Sequence, residues 1–309
     1  MQALIDVILP VFLVVGAGYL AAWRGWMSEA GVEGLMKFAQ SFAIPMMLCL
    51  ALTTLDLRAI FEWRLLVSFY TGAFAGFLAG LLGAHYLFGR DWEDSVAVGF
   101  VCLFSNSVLL GLAITERAWG TAALGPNYAI IALHAPFCYL VGVLAMEGVR
   151  ARGAGLLRTT GRVGKSLASN PLVIGISLGV AINLAGLGLP GIAHDALSLV
   201  ARAGLPAALF GLGGVLHRYR PDGDLRLIFY AVAVSLLLHP AITFGLGRFL
   251  ALEPGPFRSA VLTSGMAPGV NAYLFANMYG RARRVAASTV LIATGLCILT
   301  AWGWMSVLG

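Results

Sequence analysis

Two apolar stretches long enough to span a bilayer carry helix breakers near their middles, and this pair limits what the chain can become. In Leu262–Tyr279 the breakers are Pro268, Gly269 and Asn271. Proline has no N–H to donate, glycine is the residue least bound to helical dihedrals, and asparagine brings an amide to mid-depth. Backbone groups freed there are costly to leave bare, and lipid offers them no partner. The second stretch contains Phe104–Gly111, with Ser105, Asn106 and Ser107 in its centre. Asn106 and Pro268 are 162 residues apart in a chain of 309, so each half holds one interrupted span at a corresponding place. Such a pair is the sequence signature of a binding site built inside a membrane protein.

Composition agrees with membrane residence. Hydrophobic residues make up 60% of the chain and charged residues 11%, whereas soluble domains are about one quarter charged. The formal charge of +6 reflects basic residues gathered in short loops, and no basic run is interleaved with aromatics in the way that tracks nucleic acid. Cys49, Cys102, Cys138 and Cys297 fall in four different apolar spans without a CxxC pair. They read as small buried hydrophobes, giving neither disulfides nor a metal site. Residues 3–22 lack a basic leader and contain Asp6, so they read as a retained first helix and not a cleaved signal.

With about 20 apolar residues per span, the spacing predicts an all-α polytopic protein with ten spans: 3–22, 36–54, 64–88, 95–115, 121–147, 171–190, 196–216, 226–250, 257–279 and 285–307. Residues 1–147 hold the first five, 148–170 form a basic linker with Arg150, Arg152, Arg158, Arg162 and Lys165, and 171–309 hold the second five. Placing both termini outside the cytoplasm puts 14 of the 20 basic residues in inner loops. An odd number of spans per half then makes the halves an inverted repeat. Pro45 in Phe42–Leu48 and Pro206 in Ala203–Leu209 echo each other 161 residues apart, and Asp56–Phe61 and Asp224–Phe229 share five of six residues.

At these residues the sequence resembles the auxin efflux carrier family, which joins plant auxin exporters with bacterial permeases for malonate, malate and similar carboxylates. Asn106-Ser107 followed by Gly111-Leu-Ala113 is similar to that family's fourth-span motif, with Ala113 where the family has proline. Pro268-Gly-Val-Asn-Ala-Tyr-Leu-Phe-Ala276 is similar to its ninth-span motif, and Phe42-Ala-Ile-Pro45 also agrees. The resemblance implies a fold like that of the bile acid sodium symporters. Spans 1, 2, 6 and 7 would form a scaffold, spans 3–5 and 8–10 a moving transport domain, and broken spans 4 and 9 would cross.

The expected substrate site is therefore Ser105, Asn106, Ser107, Pro268, Gly269, Val270 and Asn271 at the crossing, with Pro45, Leu48 and Pro206 on the scaffold wall and His134 lining the cavity. Helix ends and amides there would hold an anion without a fixed cation. His134 lies mid-span, and its ordinary pKa near 6.5 suits proton coupling; a neutral histidine bonded to a carbonyl is the plainer reading. Asp6 reads as a capping or exposed carboxylate, and His239-Pro240 as structural. His194, Asp195 and Arg202 read as an access vestibule or an interfacial ion pair. HExxH and Walker motifs are absent, as is a mid-span carboxylate pair. The chain is thus expected to be no enzyme and to need no cofactor.

The function expected is secondary or facilitative transport of small organic anions, mono- or dicarboxylates including auxin-like ones, across a bacterial-type cytoplasmic membrane by a rocking or elevator movement. Protons or sodium are the candidate coupling ions, and a homodimer through the scaffold the candidate assembly. The alternatives are sodium-coupled uptake of larger amphipathic anions and a non-transporting ligand sensor.

Overall fold

The computed structural model describes residues 2, 4–57, 61–150 and 169–308. Every regular element among them is helical: α1 (Leu9–Trp23), α2 (Glu29–Phe38), α3 (Ile44–Thr54), α4 (Trp63–Tyr86), α5 (Trp92–Leu103), α6 (Leu112–Trp119), α7 (Gly125–Arg150), α8 (Pro171–Leu184), α9 (Gly191–Arg202), α10 (Gly204–His217), α11 (Leu225–Ala233), α12 (His239–Phe249), α13 (Pro254–Ser264), α14 (Val270–Tyr279) and α15 (Arg283–Leu308). Seven helical stretches among the described residues are long and apolar enough to cross a membrane: Leu4–Trp23, Glu29–Thr54, Trp63–Tyr86, Thr121–Arg150, Gly191–His217, Leu225–Phe249 and Arg283–Leu308.

Three further apolar stretches are not continuous helices of membrane-spanning length; two of them carry the expected interruptions. The one over 95–115 is divided into α5 and a second piece that runs from Ser107 through α6, and the one over 257–279 into α13 and α14. The one over 171–190 is helical only as α8, a 14-residue helix about 21 Å long; Gly186 beyond its end takes φ 64°, which turns the chain away. Basic linker residues Arg152, Arg158, Arg162 and Lys165 lie outside the described residues.

Three π-turns have a common local cause. Leu4–Ile8, Ala39–Ala43 and Val234–Leu238 each end two residues before a proline, at Pro10, Pro45 and Pro240. Proline removes one intrahelical bond and crowds the carbonyl a turn back. Widening that turn relieves the crowding while the helix continues.

The chain forms two compact units. The smaller takes Pro10 to Phe61 and the stretch from the linker to Arg218. Its helices meet at glycines: a Cβ at Gly18 of α1 would collide with the Phe210 carbonyl of α10, one at Gly213 with the Val15 carbonyl, and one at Gly175 of α8 with the Pro45 carbonyl of α3. Small residues let backbones approach closely where lipid gives no hydrophobic drive. Asn183 donates to the Leu52, Thr53 and Leu55 carbonyls at 2.9, 3.0 and 2.9 Å, closing the end of α3.

The larger unit takes the chain up to Leu9, then Glu62 to the linker, then Tyr219 onward. Gly72 and Gly76 of α4 bring it against α12 and α5, where added Cβ atoms would lie 3.0 Å from the His239 oxygen and 2.9 Å from the Cys102 oxygen. At one end, Glu93 accepts from Arg150 Nε at 3.0 Å and Arg281 Nε at 2.9 Å, Arg281 also reaches Asp91 at 3.2 Å, and Asp94 accepts from the Ala282 N–H at 3.1 Å. This clamp joins the start of α5, the end of α7 and the turn between α14 and α15. Bonds from Arg281 and Arg150 hold the Glu93 carboxyl below its ordinary pKa.

Candidate functional site: two paired helix breaks

Both breaks lie in the larger unit. After α5, Phe104, Ser105 and Asn106 leave helical geometry, with Asn106 at φ −78°, ψ 63°. The Asn106 side chain accepts from the Leu109 N–H at 3.2 Å and so caps the next helical piece. After α13, Gly265 to Gly269 are non-helical, and Gly269 enters α14 in extended conformation at φ −74°, ψ 165°.

The two breaks pair with each other. The Asn106 N–H donates to the Ala267 carbonyl at 2.8 Å and the Gly269 N–H to the Phe104 carbonyl at 3.0 Å, making an antiparallel bridge that faces Ser105 with Pro268. Four backbone groups freed by the interruptions thus satisfy one another where lipid could not. Ser105 and Pro268 occupy the position in which a residue's own N–H points away from the partner strand. Proline therefore costs this pairing no bond.

The Ser105 carbonyl, also turned away from Pro268, accepts from the Ser107 N–H at 2.9 Å and lies 3.1 Å from His134 Nε2. That contact requires Nε2 to carry the proton. The remaining ring nitrogen, Nδ1, lies 3.8 Å from Cys138 Sγ. Phe104, Phe69 and Tyr70 surround the imidazole, with ring centroids at 4.7, 5.6 and 6.3 Å. His134 is buried, as are Ser105, Asn106 and Ser107. The Ser105 hydroxyl is buried without a hydrogen-bond partner among the described residues.

Pro268 and Gly269 are buried, whereas Val270 and Asn271 in the first turn of α14 are half-buried. No side chain caps α14, so its first N–H groups present the positive end of the helix dipole. The remaining expected residues belong to the smaller unit. Pro45 and Leu48 are buried in α3 and Pro206 is exposed in α10. Asp6 is exposed, and its backbone carbonyl accepts from Arg117 Nη2 at 2.6 Å. His194 and Asp195 form an exposed pair at 3.3 Å on α9. His239 packs against α4, with Nε2 3.4 Å from the Phe69 carbonyl.

One residue at this site escaped the sequence reading. Asn127, fully buried in α7, donates to Thr263 Oγ1 at 2.9 Å and Thr115 Oγ1 at 3.3 Å, while its own carbonyl oxygen has no partner among the described residues. It ties the middle of α6 to α13. The signal available was an amide inside an apolar stretch, the same signal that marks Asn106 and Asn271. Deeper in the unit, Phe100 of α5 and Phe275 of α14 stack at 3.9 Å with their planes 8° apart.

Comparison with known proteins places this architecture. A family model described as membrane transport protein matches residues 3–305. An uncharacterized transporter of Escherichia coli K12 is 20% identical over 304 residues, 97% of this chain and 96% of that one. A Rhizobium meliloti protein named "Putative malonate transporter" is 22% identical over 307 residues, 98% and 95% of the two chains. An uncharacterized transporter of Methanothermobacter thermautotrophicus is 25% identical over 318 residues, 98% of each. The chain belongs to the membrane transport protein family, the auxin efflux carrier group that its motifs resemble.

Proposed function

We propose that the protein is a secondary or facilitative transporter of small organic anions, mono- or dicarboxylates, which bind where the two breaks meet. The observation that carries this reading is the backbone pairing of Ser105 with Pro268. It fixes the buried Asn106 amide and Ser105 hydroxyl beside the half-buried first turn of α14, and the described residues of the two breaks include no Lys, Arg, Asp or Glu. Helix ends and amides there replace the water around a carboxylate. The name of the Rhizobium relative points to the same substrate class.

The larger unit acts as the moving transport domain and the smaller as the scaffold. The ten-span inverted repeat gains support from backbone landmarks. Left-handed residues recur at Gly25 and Gly186, Gly89 and Ala251, and Gly120 and Gly280, which are 161, 162 and 160 residues apart. The tight contact of Gly18 with Phe210 has its counterpart in Gly179 against Cys49, with both partners displaced by 161. The carrier sits in the cytoplasmic membrane with both termini outside, and His134 Nδ1 is the candidate proton site.

The deciding experiment is uptake of labelled malonate and other carboxylates into proteoliposomes, with Asn106→Ala and Asn271→Ala beside the wild type. Saturable carboxylate flux that falls at least about tenfold in both variants while both remain folded is the expected result. Undiminished flux in both moves the site elsewhere, and binding without flux converts the reading to a sensor.

A further inference from the structure

α9 in the smaller unit carries three charged or titratable side chains, and they are held differently. His194 and Asp195 pair with each other at 3.3 Å. Arg202, the last residue of the helix, is exposed and makes no hydrogen bond, ion pair or ring contact with any described residue, and the described residues include all fourteen Asp and Glu side chains of the chain. The apolar stretch that holds it, Gly191–His217, runs 27 residues, about 40 Å of helix against a hydrocarbon layer of about 30 Å. Every window of about 20 residues within that stretch contains Arg202 with at least four residues on either side. Its backbone therefore lies about 6 Å or more inside the apolar layer, where a charge is costly and marks a ligand or a polar route.

The local structure shows how the charge is tolerated. α9 ends at Arg202 and α10 starts at Gly204; between them the Ala203 N–H bonds to the Val200 carbonyl at 3.1 Å and the Ala207 N–H to the Ala203 carbonyl at 3.0 Å. Pro206 has no N–H to offer the Arg202 carbonyl. Arg202 thus sits at the carbonyl end of α9, whose negative partial charge steadies a cation without neutralising it. The interruption itself does not call for a charge. In the first half of the chain the helix is likewise disturbed ahead of Pro45, through the π-turn Ala39–Ala43, and the residue 161 positions before Arg202 is Ser41. Leu199, Arg202 and Pro206 are all exposed and follow one another at intervals of three and four residues, so they share a stripe, and Pro206 is the residue expected to face substrate.

We propose that Arg202 is a substrate-binding residue of the smaller unit, the counter-charge to a carboxylate in transit. The inference rests on the carboxylate reading above and adds the fixed cation that the two breaks lack. The guanidinium fork donates two N–H groups to one carboxylate, and its attraction grows with the charge of the ligand, so a dicarboxylate dianion gains more from it than a monoanion. The test is uptake of labelled malonate into proteoliposomes at neutral pH, with monomethyl malonate as the monoanionic competitor, for the wild type, Arg202→Gln and Arg202→Lys. Arg202→Gln raises the KM for malonate about tenfold and the inhibition constant of the ester about threefold or less. Arg202→Lys, which keeps the charge and loses the fork, raises the malonate KM about threefold. An unchanged malonate KM in Arg202→Gln, or equal rises for the two anions, overturns the proposal. If Arg202→Gln does not fold, Arg202→Lys decides, and a wild-type KM in that variant overturns it. A wild type that carries no carboxylate removes the reading at the breaks and this one with it, whereas malonate uptake that is the same in wild type and Arg202→Gln removes the counter-charge alone.

Discussion

Gly18 and Gly16 sit two residues apart on α1 and face opposite demands. A Cβ at Gly18 would strike the Phe210 backbone, whereas one at Gly16 meets nothing within 4 Å. Gly18→Ala should destabilise the protein by about 1–3 kcal/mol, because a backbone wall cannot rotate aside; Gly16→Ala should be neutral or slightly stabilising. Thermal unfolding of the two variants side by side checks this, and equal midpoints would remove the close crossing of α1 and α10. His134 poses a different question, since one imidazole serves both a carbonyl and, in the proposed mechanism, a proton. His134→Leu leaves the Ser105 carbonyl with one donor fewer and should cost about 1–3 kcal/mol. His134→Gln, which can still donate, should keep the fold and flatten the pH dependence of flux. A pH profile that survives in the glutamine variant assigns the ring to holding the carbonyl alone.

Among elements, the breaks were the most legible part of the sequence. Pro268-Gly269 and Ser105-Asn106-Ser107 stand out because each is locally incompatible with the apolar helix around it. Their partners were not legible. That Asn106 N–H meets Ala267, that Ser105 faces Pro268, and that Asn127 reaches Thr263 depend on contacts across more than 100 residues, which no local pattern encodes. The same holds for the glycine contacts: sequence shows small residues but not which carbonyl lies opposite. Three of the π-turns lie between these cases, since each has a visible proline two residues on, whereas the one over Ser107–Gly111 has Ala113 there. The pairing geometry yields its own prediction. Pro268→Ala adds an N–H that points away from the opposing strand, so the bridge should persist and the midpoint should move by less than about 1 kcal/mol equivalent. Asn106→Ala removes a cap and should cost about 1 kcal/mol. Thermal unfolding of the two ranks them, and a larger loss in the proline variant would mean that the ring itself shapes the break.

For the whole molecule, the charged clamp around Glu93 decides how the larger unit responds to acid. Glu93 is held below its ordinary pKa chiefly by Arg281 and Arg150, and Asp224 chiefly by the Leu227 N–H together with Arg90. Both carboxyls therefore release their protons more readily folded than unfolded. Their contribution is complete above the unfolded carboxylate range and is lost as pH falls through the folded values, below roughly pH 4. Glu93→Gln should lower stability by about 1 kcal/mol at neutral pH and make the midpoint fall less steeply on acidification. Parallel slopes for variant and wild type would show that the clamp is electrostatically idle.

The stitched breaks carry a mechanical corollary. A pore along the line where the two interruptions meet would have to tear the Asn106 and Gly269 hydrogen bonds and strand four polar groups in oil. In the proposed mechanism that line stays shut throughout the cycle, and cargo held beside it travels as a passenger on its carrier, never as a stream through an opening.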